Sequence, residues 1–146
     1  QYKLALAAYE QSSPTALDQT GTEEAIFRFQ QYLDDFPNGK YSEDTRGKVR
    51  EARKKLSQKE YMTARFYRRM DYDEASLIYL NHILEEFTDT EEWVEHARFL
   101  KAQILMDRDQ NQEALLLLRA VNQNLIKARF REDVQRLIAQ LQEGVQ

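Results

Sequence analysis

The chain has no cysteine, and only two prolines and four glycines in 146 residues. Without thiols there is no thiolate zinc site, iron–sulfur cluster, thiol nucleophile or disulfide framework. So few glycines and prolines cannot supply the turns of a β-sandwich or barrel, and they also exclude a low-complexity linker. Long apolar runs are missing as well. The longest, around Leu115–Leu118, is about five residues, against roughly 20 for a membrane-spanning helix. No signal-peptide pattern opens the sequence. What is present is a chain 42% hydrophobic and 32% charged, long enough for one domain with a packed core. Scarce punctuation points to long helices joined by short loops.

Helical periodicity bears this out along the chain, and no stretch alternates with the period of a strand. Leu4, Leu6, Ala7 and Ala8 suggest a first helix that fades at Ser12-Ser13-Pro14. Thr22, followed by Glu23 and Glu24, reads as a capping box for a second helix with Ala25, Ile26, Phe29, Leu33 and Phe36 on one stripe. That helix stops at Pro37-Asn38-Gly39. Ser42 can cap a third helix reaching about Met70, unusually long, whose Val49, Ala52, Leu56, Thr63, Tyr67 and Met70 fall in one narrow arc. Four more follow at about 72–87, 91–107, 111–121 and 125–143. The last carries Val134, Leu137, Ile138 and Leu141 on one face, as a capping helix would.

The pattern also repeats. Phe29, Leu33, Phe36 and Pro37 match Leu80, Leu84, Phe87 and Thr88 at an offset of 51. Small residues where helices would cross, each followed by a large apolar one, recur as Ala64, Tyr67, Ser76 and Leu80, then as Ala102, Leu105, Ala114 and Leu118, at an offset of 38. This is the logic of tetratricopeptide repeats, in which a helical hairpin cannot bury its face alone and stacks on its neighbours. The expected architecture is an all-α, tetratricopeptide-like solenoid of about seven helices in a single domain over 1–146. Its repeats fall near 1–37, 42–88 and 91–124, with the capping helix at 125–143.

Charge is unevenly distributed. Between Arg46 and Arg69 ten basic residues face only Glu51 and Glu60, a net +8, which leaves the rest of a −4 chain at −12. Arg46, Arg50, Arg53, Lys54, Arg65 and Arg68 share one broad side of the third helix, with Arg69 beside them. They could meet an acidic partner surface; the plainer alternative is a solvated face that pairs with the acidic fourth and fifth helices. Tyr61, Phe66, Tyr67, Tyr72 and Tyr79 gather where the third helix meets the fourth. Tyr67 reads as core, whereas Tyr61, Phe66 and Tyr72 point to different faces and could anchor a peptide or partner loop; packing between repeats is the alternative. Trp93 reads as a staple between repeats. His82, with Glu85 and Glu86, and His96, with Glu92, lack the third convergent ligand that a metal needs. No phosphate loop, nucleophile elbow or His–carboxylate–serine ordering is present, so the chain reads as non-catalytic and cofactor-free.

Several stretches resemble the BamD family of outer-membrane β-barrel assembly lipoproteins, also called YfiO- or ComL-like. They are QYKLALAAYEQSSPTALDQTGTEEA over 1–25, FQQYLDDFPNGKY over 29–41, LSQKEYMTARFY over 56–67 and the Phe87-Thr88-Asp89-Thr90 that follows. The resemblance spans about residues 1–124 and includes the long third helix. It implies the C-terminal part of a longer lipoprotein on the periplasmic face of the outer membrane. The lipid-bearing cysteine, the only membrane attachment, would lie outside this chain. Implied partners are POTRA-type domains of the barrel-forming subunit, accessory lipoproteins and unfolded barrel substrates. The partner-binding candidates on this reading are Arg50, Arg53, Lys54, Tyr61, Arg65, Phe66, Arg68, Arg69, Tyr72 and Tyr79. Against the family's pattern, Asp71 replaces a usual glycine and Tyr79 a common arginine. Two other functions stay open: a generic repeat adaptor of envelope or secretion machinery that holds a peptide in its groove, and a nucleic-acid-binding or DNA-uptake module. The overall acidity and the absence of a reader motif speak against nucleic acid.

Overall fold

A computed structural model describes residues 1–5 and 20–145. The fading of the first helix at Ser12–Pro14 lies outside the described residues. Helices α1 (residues 2–5), α2 (Thr20–Asp35), α3 (Ser42–Arg69), α4 (Asp73–Glu86), α5 (Glu91–Asp107), α6 (Asn111–Ala120) and α7 (Ala128–Val145) follow one another, with a 3₁₀ turn at Gln123–Leu125. There is no strand among the described residues, and the fold is all-α and tetratricopeptide-like. The chain divides into two compact units, Gln1–Lys59 and Glu60–Gln146.

In the first unit Thr22, Ala25, Phe29 and Tyr32 form the buried stripe of α2, at the three- and four-residue steps of a helix face. Two expectations fail here. Thr22 does not stand before the helix as its cap, because α2 already begins at Thr20 and Thr22 is fully buried within its first turn. Phe36 is exposed, because it follows the last residue of α2 and the helical period no longer sets its direction; its ring leans on Tyr32 at 5.4 Å. The turn after it needs Gly39. A Cβ there would lie 2.8 Å from the Tyr32 hydroxyl and 3.0 Å from the Phe36 Cβ. The same hydroxyl accepts the Tyr41 N–H at 3.2 Å. Ser42 opens α3 and donates its hydroxyl to the Phe36 carbonyl at 2.5 Å.

Helix α3 corrects the single arc expected for it. Thr45 and Ala52 are buried and Val49 and Leu56 half-buried, in one register; from Ser57 onward the buried positions are Ser57, Tyr61 and Ala64. The stripe slips by one residue at Leu56–Ser57, close to where the two units divide. Extending the first register past Leu56 selects Thr63, Tyr67 and Met70, of which two are only half-buried and Met70 is exposed.

The second unit contains two equivalent hairpins. Ala64 faces Ser76 in one, and Ala102 and Ala114 hold the same places in the other; all four are fully buried. Ser76 donates its hydroxyl to the Ala64 carbonyl at 2.8 Å, a distance that only small residues permit. Both hairpins close alike. Tyr72 N–H bonds to the Tyr67 carbonyl and Gln110 N–H to the Leu105 carbonyl, each at 2.9 Å, the six-residue closure of a Schellman turn. The residue that makes this possible is left-handed in each case, Asp71 at φ 62° and Asp109 at φ 58°. At both positions an aspartate therefore holds a conformation that glycine adopts freely, at a cost of roughly 1 kcal/mol each. Helix α5 is buried on most of its surface, and Phe99, Ala102 and Leu105 share a core with Leu115 and Leu118 of α6 and Val134, Leu137 and Leu141 of α7.

Candidate protein-interaction surface

The basic segment of α3 is largely engaged within the fold. Arg46 pairs with Glu43 and also donates to the Pro37 carbonyl. Lys48, Arg53, Lys55 and Lys59 likewise interact with neighbouring groups. Arg68 is the most committed. Its guanidinium bonds to both carboxylate oxygens of Asp73 at 3.1 Å and to Asp107, joining the start of α4 to the end of α5. Arg108 repeats the theme with Glu74. Four of the ten basic residues, Arg50, Lys54, Arg65 and Arg69, make no ion pair with a described residue.

The aromatic residues of α3 and α4 separate into two groups. On one side Tyr67 stacks on Tyr79, ring centres 5.7 Å apart, and meets Phe66 and Tyr72 edge-on at 5.6 and 6.5 Å. Phe66 and Tyr72 remain 57% and 59% exposed, so this cluster lies open around the end of α3, where Arg69 and Met70 are exposed as well. The register slip in α3 places Tyr67 here rather than in the core.

Tyr61 goes elsewhere. It is buried against Trp93 at 5.6 Å and His96 at 5.4 Å, and His96 meets Phe130 of α7 edge-on at 5.4 Å. These rings wall a cavity of about 420 Å³, which Met62, Arg65, Glu92, Lys127 and Arg129 complete. Arg65 therefore belongs with this second group, and Trp93 and His96, which the sequence suggests only as a staple and as a metal ligand lacking partners, line its cavity. Burial pushes the Tyr61 hydroxyl up, against the pull of Arg65 and Arg69.

Neither histidine gathers ligands. His82 reaches Glu60 of α3 at 3.2 Å, and His96 lies 3.8 Å from Glu92; no metal-binding cluster occurs among the described residues. His96 titrates below the ordinary histidine range because burial opposes its charge, with Lys127 and Arg65 adding to the effect and Glu92 opposing it. The linkage has a definite sign. A depressed histidine pKa contributes stability that is present above about pH 6.5 and lost as pH falls from there. The urea midpoint of the protein should therefore drop between pH 7.5 and 5.5, and His96→Phe should flatten that part of the profile.

A profile described as YfiO, outer membrane lipoprotein, matches residues 1–115, well over half of the chain. The chain belongs to the YfiO family. Among curated proteins none matches it. Membership makes this YfiO-family chain part of the cell envelope and gives it the general role of a non-enzymatic protein-interaction scaffold. No helix among its described residues is long and apolar enough to cross a membrane.

Proposed function

We propose that the chain is a BamD-like docking scaffold of the machinery that folds and inserts β-barrel proteins at the periplasmic face of the outer membrane, and that it presents the α3–α4 corner to a POTRA-type domain of the barrel-forming subunit. The observation that carries this reading is the open cluster of Phe66, Tyr67, Tyr72 and Tyr79, with the unpaired and exposed Arg69 on the same last turn of α3. Aromatic anchors with a cation at the edge are the composition of interface hot spots. The rigid hairpin behind them, closed at Asp71 and crossed at Ala64 and Ser76, holds the anchors in place before the partner arrives.

The test uses the full-length lipoprotein in its own cell envelope. Phe66→Ser, Tyr72→Ser and Arg69→Glu together should cut recovery of the barrel-forming subunit in affinity purification by about tenfold or more, since two aromatic anchors are lost at once. Helical circular dichroism should stay unchanged, because all three side chains are exposed. Undiminished recovery removes this corner from the interface. Arg68 is left intact in this variant, because its loss would act through the fold.

A further inference from the structure

We infer that the cavity walled by Tyr61, Trp93, His96 and Phe130 is a second binding site, for a short peptide segment that carries carboxylates flanking a bulky apolar side chain. The geometry separates two kinds of surface. The interior is aromatic, its ring centres spaced 5.4–5.6 Å apart, and His96 is held toward its neutral form, so the floor favours an apolar group. Arg65, Lys127 and Arg129 surround it, against the single carboxylate of Glu92.

None of these three cations makes an ion pair with a described residue. Arg129 instead lies over the Phe130 ring at 5.1 Å. Three cations against one carboxylate at the edge of an apolar hollow leave a net positive rim that complements an anion attached to an apolar body. The volume, about 420 Å³, lies within the range of ligand pockets and suits one or two side chains. A peptide fits better than nucleic acid, whose repeating phosphates need an extended basic track. Lys127, Arg129 and Phe130 stand beyond residues 1–115, the part matched by the family. The site also uses residues distinct from the α3–α4 corner, so the two proposals stand or fall separately.

Trp93 is the sole tryptophan in the sequence and lies in the wall, so its fluorescence reports directly on occupancy. The purified chain is titrated with three capped peptides, Gly-Glu-Phe-Asp-Gly, Gly-Gln-Phe-Asn-Gly and Gly-Glu-Ala-Asp-Gly, and separately with decanoate. The first peptide should give a saturable change in emission, with an affinity about tenfold or more above the other two. Arg65→Gln with Lys127→Gln should weaken it by a similar factor while the circular dichroism of the free protein is retained. If that double variant unfolds, Arg129→Gln, at an exposed position, should still weaken binding severalfold. Equal responses to all three peptides, no response to the first, or unchanged affinity in a folded variant overturns the proposal. Saturation by decanoate without any peptide response also overturns it, and reassigns the cavity to a small amphiphile.

Discussion

Replacing Glu95 with alanine should destabilise the 60–146 unit by about 2–3 kcal/mol, which for a chain of this size lowers the melting temperature by roughly 6–10 °C. Glu95 lies on the buried α5, and its carboxylate is nearly inaccessible to water. One oxygen accepts from Arg98 at 2.7 Å and the other from the backbone N–H of Asn122 at 2.8 Å, just past the end of α6. Arg98 also reaches toward the Ala120 carbonyl. A single buried charge thus secures the exit of the α5–α6 hairpin, where Val121 and Ile126 turn the chain toward α7. Alanine leaves a backbone donor and a partly buried guanidinium without their acceptor. Glu95→Gln keeps one acceptor oxygen for the Asn122 N–H but turns an NH2 donor toward the Arg98 guanidinium, so it should recover less than half of the loss. Thermal unfolding followed by circular dichroism at 222 nm reads both variants. Equal stability of the alanine variant and the parent would mean that water replaces the carboxylate at no cost.

Glu95 also shows where sequence reasoning stops. The helices themselves were legible, because apolar periodicity, Pro37-Asn38-Gly39 and the repeated small residues act locally. Ala64, Ser76, Ala102 and Ala114 all occupy the close crossings their spacing indicated. A glutamate inside a run of acidic residues looks like every other surface carboxylate, and its bond to Asn122 spans 27 positions. The aromatic residues near the α3–α4 junction posed the same difficulty. Proximity in sequence joined Tyr61 to Phe66, Tyr72 and Tyr79, whereas the one-residue slip at Leu56–Ser57 sends Tyr61 to Trp93 and leaves the others in the open. Such a slip leaves no local mark, since a helix continues through it with unbroken hydrogen bonding. Phe130, the fourth wall of the cavity, carried one readable signal. It lies on the stripe of Val134, Leu137 and Leu141, one turn before the first of them.

Charge reversal at Arg68 should have the other large effect, and it separates a structural cation from a solvated one. Within a basic run Arg68 looks available to an acidic partner, yet the fold already supplies its acids in Asp73 and Asp107. Burial opposes its charge, but those two carboxylates more than compensate and raise its pKa. Arg68→Glu would place a third carboxylate against two, at the corner where α3 ends, α4 begins and α5 terminates. The side chains of Arg68 and Asp73 are only about a quarter exposed and that of Asp107 more than half, so solvent softens part of the repulsion. A loss of roughly 2–4 kcal/mol is expected at low salt, partly restored in 1 M sodium chloride as the repulsion is screened. Arg68→Lys keeps the charge but not the fork that spans both acids, and should lose roughly 1 kcal/mol. Urea titrations at two salt concentrations distinguish these outcomes. Reversal at the exposed Arg69 should leave the midpoint within about 0.5 kcal/mol of the parent, as surface substitutions generally do. Adjacent arginines of one basic run would then differ by several kcal/mol in what they do for the fold, and the one that contributes least to stability is the exposed one, which makes no ion pair with a described residue.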